Sequence, residues 1–136
     1  MGIILTISNE ERIIMIIYVQ DQEKSKQFYK QLLGLKPYLD VPGMTEFQLN
    51  NFSTLGIMPE DGIVRLLDGK IQNPKEARGI PRSEIYIYVN DPDTYLRNLV
   101  ELGGMEISKG EIRNWGDYVA YGSDIDGHII AFARRT

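Results

Sequence analysis

Apolar positions along this chain follow two periods in turn, and the whole pattern recurs 70 positions later. "RIIMIIYVQDQEKSKQFYKQLLGL" and "RSEIYIYVNDPDTYLRNLVELGGM" each read as an apolar strand, an N-cap aspartate, a helix and a closing glycine. Val19, Asp21 and Gly34 correspond to Val89, Asp91 and Gly104. Asp91-Pro92 is a strong helix start, with the acid at N-cap and proline at the first helical position. Phe28, Leu32 and Leu35 in one half, and Leu96, Leu99 and Leu102 in the other, fall at helical spacing and should face a sheet.

Three strand-like runs follow each helix. In the first half they are "KPYLDV", "TEFQLN" and "STLGIM", broken at Pro42-Gly43 and Asn50-Asn51. In the second they are "MEISKGEI", "DYVAYGS" and "HIIAFA", broken at the hairpin-type pair Asp126-Gly127. The fold class is therefore α+β: one domain over 1–136, built of two tandem βαβββ modules at 12–59 and 83–134. Residues 60–82, rich in Pro, Gly and Asn, read as a linker. Each module has one helix on one sheet face, so pairing the modules buries what each leaves open.

Composition narrows the function by exclusion. A net charge of −4 argues against nucleic acid, which needs clustered Lys and Arg. With no Cys there is no disulfide, thiolate zinc site or Cys nucleophile, and one His cannot build a multi-histidine metal site in one subunit. No apolar run approaches the ~20 residues of a membrane span, and the N-terminus has neither the basic region nor the cleavage site of a signal peptide. "MGIILT" matches the loose N-myristoylation pattern; the alternative is an extra edge strand or a loose tail.

The strand–Asp–helix run "VQDQEKSKQFYKQLLGL", its duplication and the terminal "DIDGHIIAFA" resemble the glyoxalase, bleomycin-resistance and extradiol-dioxygenase superfamily, the vicinal oxygen chelate proteins. The resemblance spans about residues 12 to 134 and implies a curved mixed sheet around a concave pocket. It also implies four metal-ligand positions in catalytic members, which fall here on Ile14, Gly56, Glu84 and Ala131. Three of these carry no ligating group, and one carboxylate cannot replace a four-donor site. "NWGDYVAYGSDIDGHIIAF" is similar to the Trp-Gly strand pair of bleomycin-resistance proteins. That similarity implies a small-molecule binder without metal or other cofactor, of the antibiotic-resistance kind, cytoplasmic and homodimeric. The alternative is a glyoxalase-type lyase or isomerase with Glu84 as base or metal ligand, helped by Glu60.

Strand alternation then assigns the lining. If position 84 faces the concave site, so do Tyr86 and Tyr88, while Ile85, Ile87 and Val89 meet the helix. Ile14, Ile16 and Tyr18, Thr54, Gly56 and Met58, and Ile129, Ala131 and Ala133 complete that face, with small residues at 56, 131 and 133 expected to leave room. Trp115, beside Arg113 and Gly116, is a candidate stacking wall. Either Tyr118 with Ala120 or Val119 with Tyr121 faces the cavity, and Tyr118 is carried as a candidate contact. Glu84 is the candidate catalytic group or anionic anchor, with a solvated rim residue as the plain alternative. His128 should point away from the cavity as a partly exposed strand-start residue, with Asp124 and Asp126 shaping the turn before it.

Overall fold

The computed structural model describes residues 5–136, so the N-terminal modification pattern and edge strand expected at the start of the chain lie partly outside the described residues. Among the described residues, eight strands form two four-stranded mixed sheets. In the first, β1 (Ile13–Val19), β4 (Ser53–Pro59), β3 (Met44–Gln48) and β2 (Leu39–Val41) lie in the order β1-β4-β3-β2. In the second, β5 (Glu84–Tyr88), β8 (Ile129–Arg134), β7 (Tyr118–Ser123) and β6 (Met105–Ile112) repeat that order as β5-β8-β7-β6. Each module pairs its first and last strands in parallel and the rest antiparallel. The duplicated βαβββ reading is met, as two separate sheets.

The helices start where the aspartates place them. Asp21 accepts the Lys24 N–H at the head of α1 (Gln22–Leu33), and Asp91 accepts the Thr94 N–H at the head of α3 (Pro92–Glu101). The closing glycines differ. Gly34 takes the left-handed conformation at φ 65°, its N–H donating to Lys30 O. Gly103 makes the turn after α3, and Gly104 serves close packing instead, since a Cβ there would meet Leu99 and Ser123 O at 2.5 Å. The segment 60–82 is more than a linker: α2 (Glu60–Leu66) and a short 3-10 turn (Pro74–Ala77) occupy it. Their lengths of 7 and 4 residues leave little periodicity to detect in a Gly- and Pro-rich run.

One core serves both modules. Ile17, Val19, Phe28, Tyr29, Leu32, Phe47, Leu55 and Ile57 of the first pack with Leu96, Leu99, Ala120, Ile130 and Phe132 of the second. These residues line the helix-covered faces, so the alternation assigned to β1 and β5 holds: Ile17 and Val19 are core, with Ile85, Ile87 and Val89 against it. Burying such side chains contributes on the order of 1.5–3 kcal/mol each. Among the described residues no helix is long and apolar enough to cross a membrane.

Candidate functional site

Strand register collects the residues of the helix-free face of the second sheet. Tyr86 pairs with Ala131 and Tyr88 with Ala133, while Val119 and Tyr121 of β7 stand opposite Ala133 and Ala131. Val119, Ala131 and Ala133 form a small buried cluster under Tyr86 and Tyr121. The pair left open by the sequence is thus Val119 with Tyr121. Tyr118 lies on the helix face. Its ring covers Gly110, where an added Cβ would come within 2.3 Å of it, and its hydroxyl donates to Asp93 at 2.8 Å. The placement of Tyr118 in the pocket wall is corrected accordingly.

A hydrogen-bonded chain fixes the aromatic side chains. Trp115 Nε1 donates to Tyr86 Oη at 2.9 Å, and the hydroxyls of Tyr86 and Tyr88 both donate to Asp117 Oδ2 at 2.7 Å. The Tyr86 and Tyr88 rings meet edge-on at 5.5 Å. Asp117 is 8% exposed, and the two phenols hold its carboxyl below the usual carboxylate range. Burial and the Asp117 hydrogen bond push the Tyr86 phenol up to about 12, so it stays a neutral donor. Asp117 was missed in the sequence because it precedes β7, where alternation says nothing. The signal available was an acid two residues after the lone Trp.

Trp115 is 56% exposed, so it is not a core residue. Gly116 supports it through backbone geometry: at φ 103° it closes a tight turn, with its N–H on Arg113 O and the Arg113 N–H on Asp117 O. Arg113 is held by Val119 O, Ser108 Oγ and Lys109 O, with its guanidinium 5.1 Å from the Tyr121 ring centre. Tyr88 is half exposed beneath Arg135, 4.5 Å from its ring. Glu84 stands exposed on the edge strand β5. The Tyr121 phenol is raised by burial first and by the Glu84 charge second, which puts that carboxylate beside the same wall.

Tyr18 and Met58 are register partners on the first sheet, on the strands that carry Ile14, Ile16 and Gly56. The room expected over the small residues is filled. A Cβ on Gly56 would meet Ile16 Cγ1 at 2.9 Å and Ile14 Cγ2 at 3.2 Å, and Ala131 and Ala133 are fully covered. Large neighbours lean over small ones, as close packing demands. His128 is 2% exposed, which corrects its expected partial exposure. Asp124 shapes the turn through Oδ1, which accepts the N–H groups of Asp126 and His128. Asp126 instead reaches the first module, accepting from Gln20 N and Ser25 Oγ. Glu60 is buried at the head of α2 and ion-paired with Arg78, so it is not free to join Glu84.

A glyoxalase-like domain model matches residues 13–134. The chain belongs to the glyoxalase-like domain family, within the vicinal oxygen chelate superfamily. Solved structures agree in fold. A glyoxalase-related enzyme from Fulvimarina pelagi is 22% identical at TM-score 0.76, covering 93% of this chain and 88% of that one. Hypothetical protein SA1046 from S. aureus is 25% identical at TM-score 0.73, covering 98% and 95%. A glyoxalase/bleomycin resistance protein/dioxygenase family enzyme from Burkholderia phytofirmans PsJN is 13% identical at TM-score 0.77, covering 90% and 97%. No curated protein matches the chain.

The metal that catalytic family members hold finds no matching donor set in this glyoxalase-like domain. Of Ile14, Gly56, Glu84 and Ala131, only Glu84 carries a ligating atom, and the space over Gly56 is taken by Ile14 and Ile16. Among the described residues no three His, Cys, Asp or Glu side chains gather as a metal site.

Proposed function

We propose that this glyoxalase-like domain binds a small planar or cationic molecule without metal chemistry, on the aromatic wall of Trp115, Tyr86, Tyr88 and Tyr121. One observation carries the reading: the chain Trp115–Tyr86–Asp117–Tyr88 fixes an exposed indole and two phenols in advance of any ligand. Rings held this way lose little freedom on binding, and indole offers a good face to planar and cationic groups. Asp117 and Glu84 add negative charge for a cation. The glyoxalase-type lyase or isomerase is less favoured, because Glu60 is committed to Arg78 and leaves Glu84 alone.

Sequestration, as in resistance proteins of this superfamily, is the role that suits a wall with donors and no evident reacting group. The wall is open on one side, and we propose that a second copy closes it in a cytoplasmic homodimer. Light scattering should then give about twice the 15.6 kDa of one chain. A clean monomer at micromolar concentration ends the shared-site idea.

Native mass spectrometry of protein purified from cells tests the binding itself. It should show an organic ligand of small mass and no stoichiometric metal. Trp115→Ala should weaken binding of that ligand by about 1–3 kcal/mol, the range of an aromatic anchor, while changing stability by less than about 1 kcal/mol. Unchanged affinity, or one tightly held metal per chain lost in Glu84→Ala, overturns the reading.

A further inference from the structure

On the other side of the sheets, at the seam between modules, lies a set of groups the aromatic wall does not use. Ser83 Oγ is 2.8 Å from His128 Nδ1, and His128 Nε2 is 2.9 Å from the carbonyl oxygen of Tyr18. A carbonyl only accepts, so Nε2 carries the proton and Nδ1 turns its lone pair to the Ser83 hydroxyl. Arg82 Nη2, at 3.4 Å from Nε2, is long for a hydrogen bond and is already donated to Asp126 O at 2.9 Å. The Asp124 carboxylate, which accepts the His128 backbone N–H, puts a negative charge close to the ring. A hydroxyl, a base facing it and a third group that orients the base are the parts of an activated nucleophile.

The serine also has somewhere to act. It is half-buried and lines a cavity of about 230 Å³ that spans both faces at the seam, with Met15, Ile17, Leu55 and Ile85 from the helix-covered side and Glu84 and Tyr86 from the other. Sites for drug-sized ligands run to roughly 300–1,000 Å³, so this one suits a short apolar chain. The edge of β5 supplies a donor. Ile129 N–H donates to Ser83 O and Val89 N–H to Ala133 O, so the odd-numbered residues of this strand use their groups on β8. By alternation the Glu84 N–H points to the open edge, where no strand pairs with β5 among the described residues. An unused N–H one residue beyond the hydroxyl is placed to meet a developing oxyanion.

We propose that Ser83 and His128 form a second site that hydrolyses esters of short-chain carboxylic acids. Ser83 Oγ adds to the ester carbonyl carbon while its proton passes to His128 Nδ1, and the Glu84 N–H meets the oxyanion. The C–O bond to the alcohol then breaks, and His128 returns the proton to the departing alkoxide. Water repeats the sequence on the acyl-serine, releasing the acid and restoring Ser83. The apolar cavity holds the acyl chain.

The test uses the intact protein with p-nitrophenyl butyrate and p-nitrophenyl octanoate, and a fluorophosphonate as covalent label. Hydrolysis should exceed the buffer rate and favour butyrate. Ser83→Ala and His128→Gln should each lower it by roughly 100-fold or more, the usual worth of general acid–base assistance. One phosphonyl group should map to Ser83 in the wild type, with none on Ser83→Ala. Ser83→Ala removes one hydroxyl at a half-buried position, and circular dichroism confirms its fold independently of the more disruptive His128→Gln. Hydrolysis no faster than buffer, or hydrolysis and labelling that survive Ser83→Ala, overturns the proposal.

Discussion

Ile16 and Tyr18 hold the places in the first module that Tyr86 and Tyr88 hold in the second, since Ile16 pairs with Gly56 just as Tyr86 pairs with Ala131. One strand further in, Glu46 opposite Gly56 corresponds to Tyr121 opposite Ala131. Arg12 ion-pairs with Glu46 at 2.8 Å, whereas Arg113 stacks on Tyr121. On the helix-free side, then, the backbone is duplicated and the chemistry is not. One face carries aliphatic side chains and a closed ion pair; the other carries aromatic rings on a buried acid. On the helix side the two modules stay alike, with Ile57 and Phe132 at equivalent, fully buried positions. Packing against a shared core constrains one side of each sheet, and the other side is left to diverge.

The largest effects should come from the shared core. Phe132→Ala should cost about 3–5 kcal/mol and Ile57→Ala about 2–5 kcal/mol, both read from urea unfolding. Each variant should still unfold in one transition by fluorescence and circular dichroism, because both side chains belong to one cluster. Two separated transitions would mean that the modules fold as independent units.

Two carboxylates sharpen the contrast between faces through pH. Burial holds the Asp124 carboxyl above its ordinary range, against the Tyr29 hydrogen bond that lowers it. The folded state therefore keeps that proton more firmly. Its contribution to stability is complete below the unfolded value of ~3.9 and is lost as pH rises through the higher folded value. Asp117 has the opposite sign. Its carboxyl is lowered by Tyr86 and then Tyr88, so its contribution is present above ~3.9 and lost as pH falls through the lower folded value. Across roughly pH 3 to 7, Asp117→Asn should flatten the acid limb of the stability curve, and Asp124→Asn should remove a decline at higher pH. Variant curves parallel to the wild type would refute both assignments.

The modules were legible in the sequence because their signals are local and repeated. Asp21 and Asp91 start helices by side-chain chemistry that needs no partner from elsewhere, and strand alternation in "IIMIIYV" and "EIYIYV" already separated core from open face. The aromatic cluster was legible in part, since Trp115 meets Tyr86 and Tyr86 meets Tyr88. What joins them was hidden: Asp117 sits in a turn, and its partners lie 29 and 31 residues away. Nor could alternation choose between Tyr118 and Tyr121, because it gives two faces without saying which one a helix covers. Gly110 decided that, by leaving space for the Tyr118 ring. His128 was misjudged because its partners Tyr18 O and Ser83 Oγ come from both modules.

The smallest effect is the most discriminating test of which face binds. Tyr88 and Tyr118 are both tyrosines of the second sheet, each donating to one carboxylate and each covered by an arginine, Arg135 and Arg134 at 4.5 Å. They lie on opposite sides of the sheet. Removing either hydroxyl gives up a charge-assisted hydrogen bond, so Tyr88→Phe and Tyr118→Phe should both lose a little stability. Their effects on binding should part. Tyr88→Phe frees half of the anchor on Asp117 and loosens the wall, so ligand affinity should fall by about 0.5–1.5 kcal/mol. Tyr118→Phe changes only the contact to Asp93 on α3, and affinity should stay at the wild-type value. Isothermal titration of both variants with the ligand recovered from cells decides it. Equal losses would mean that the ligand senses stability and not the wall, and a loss confined to Tyr118→Phe would move the site to the helix-covered face.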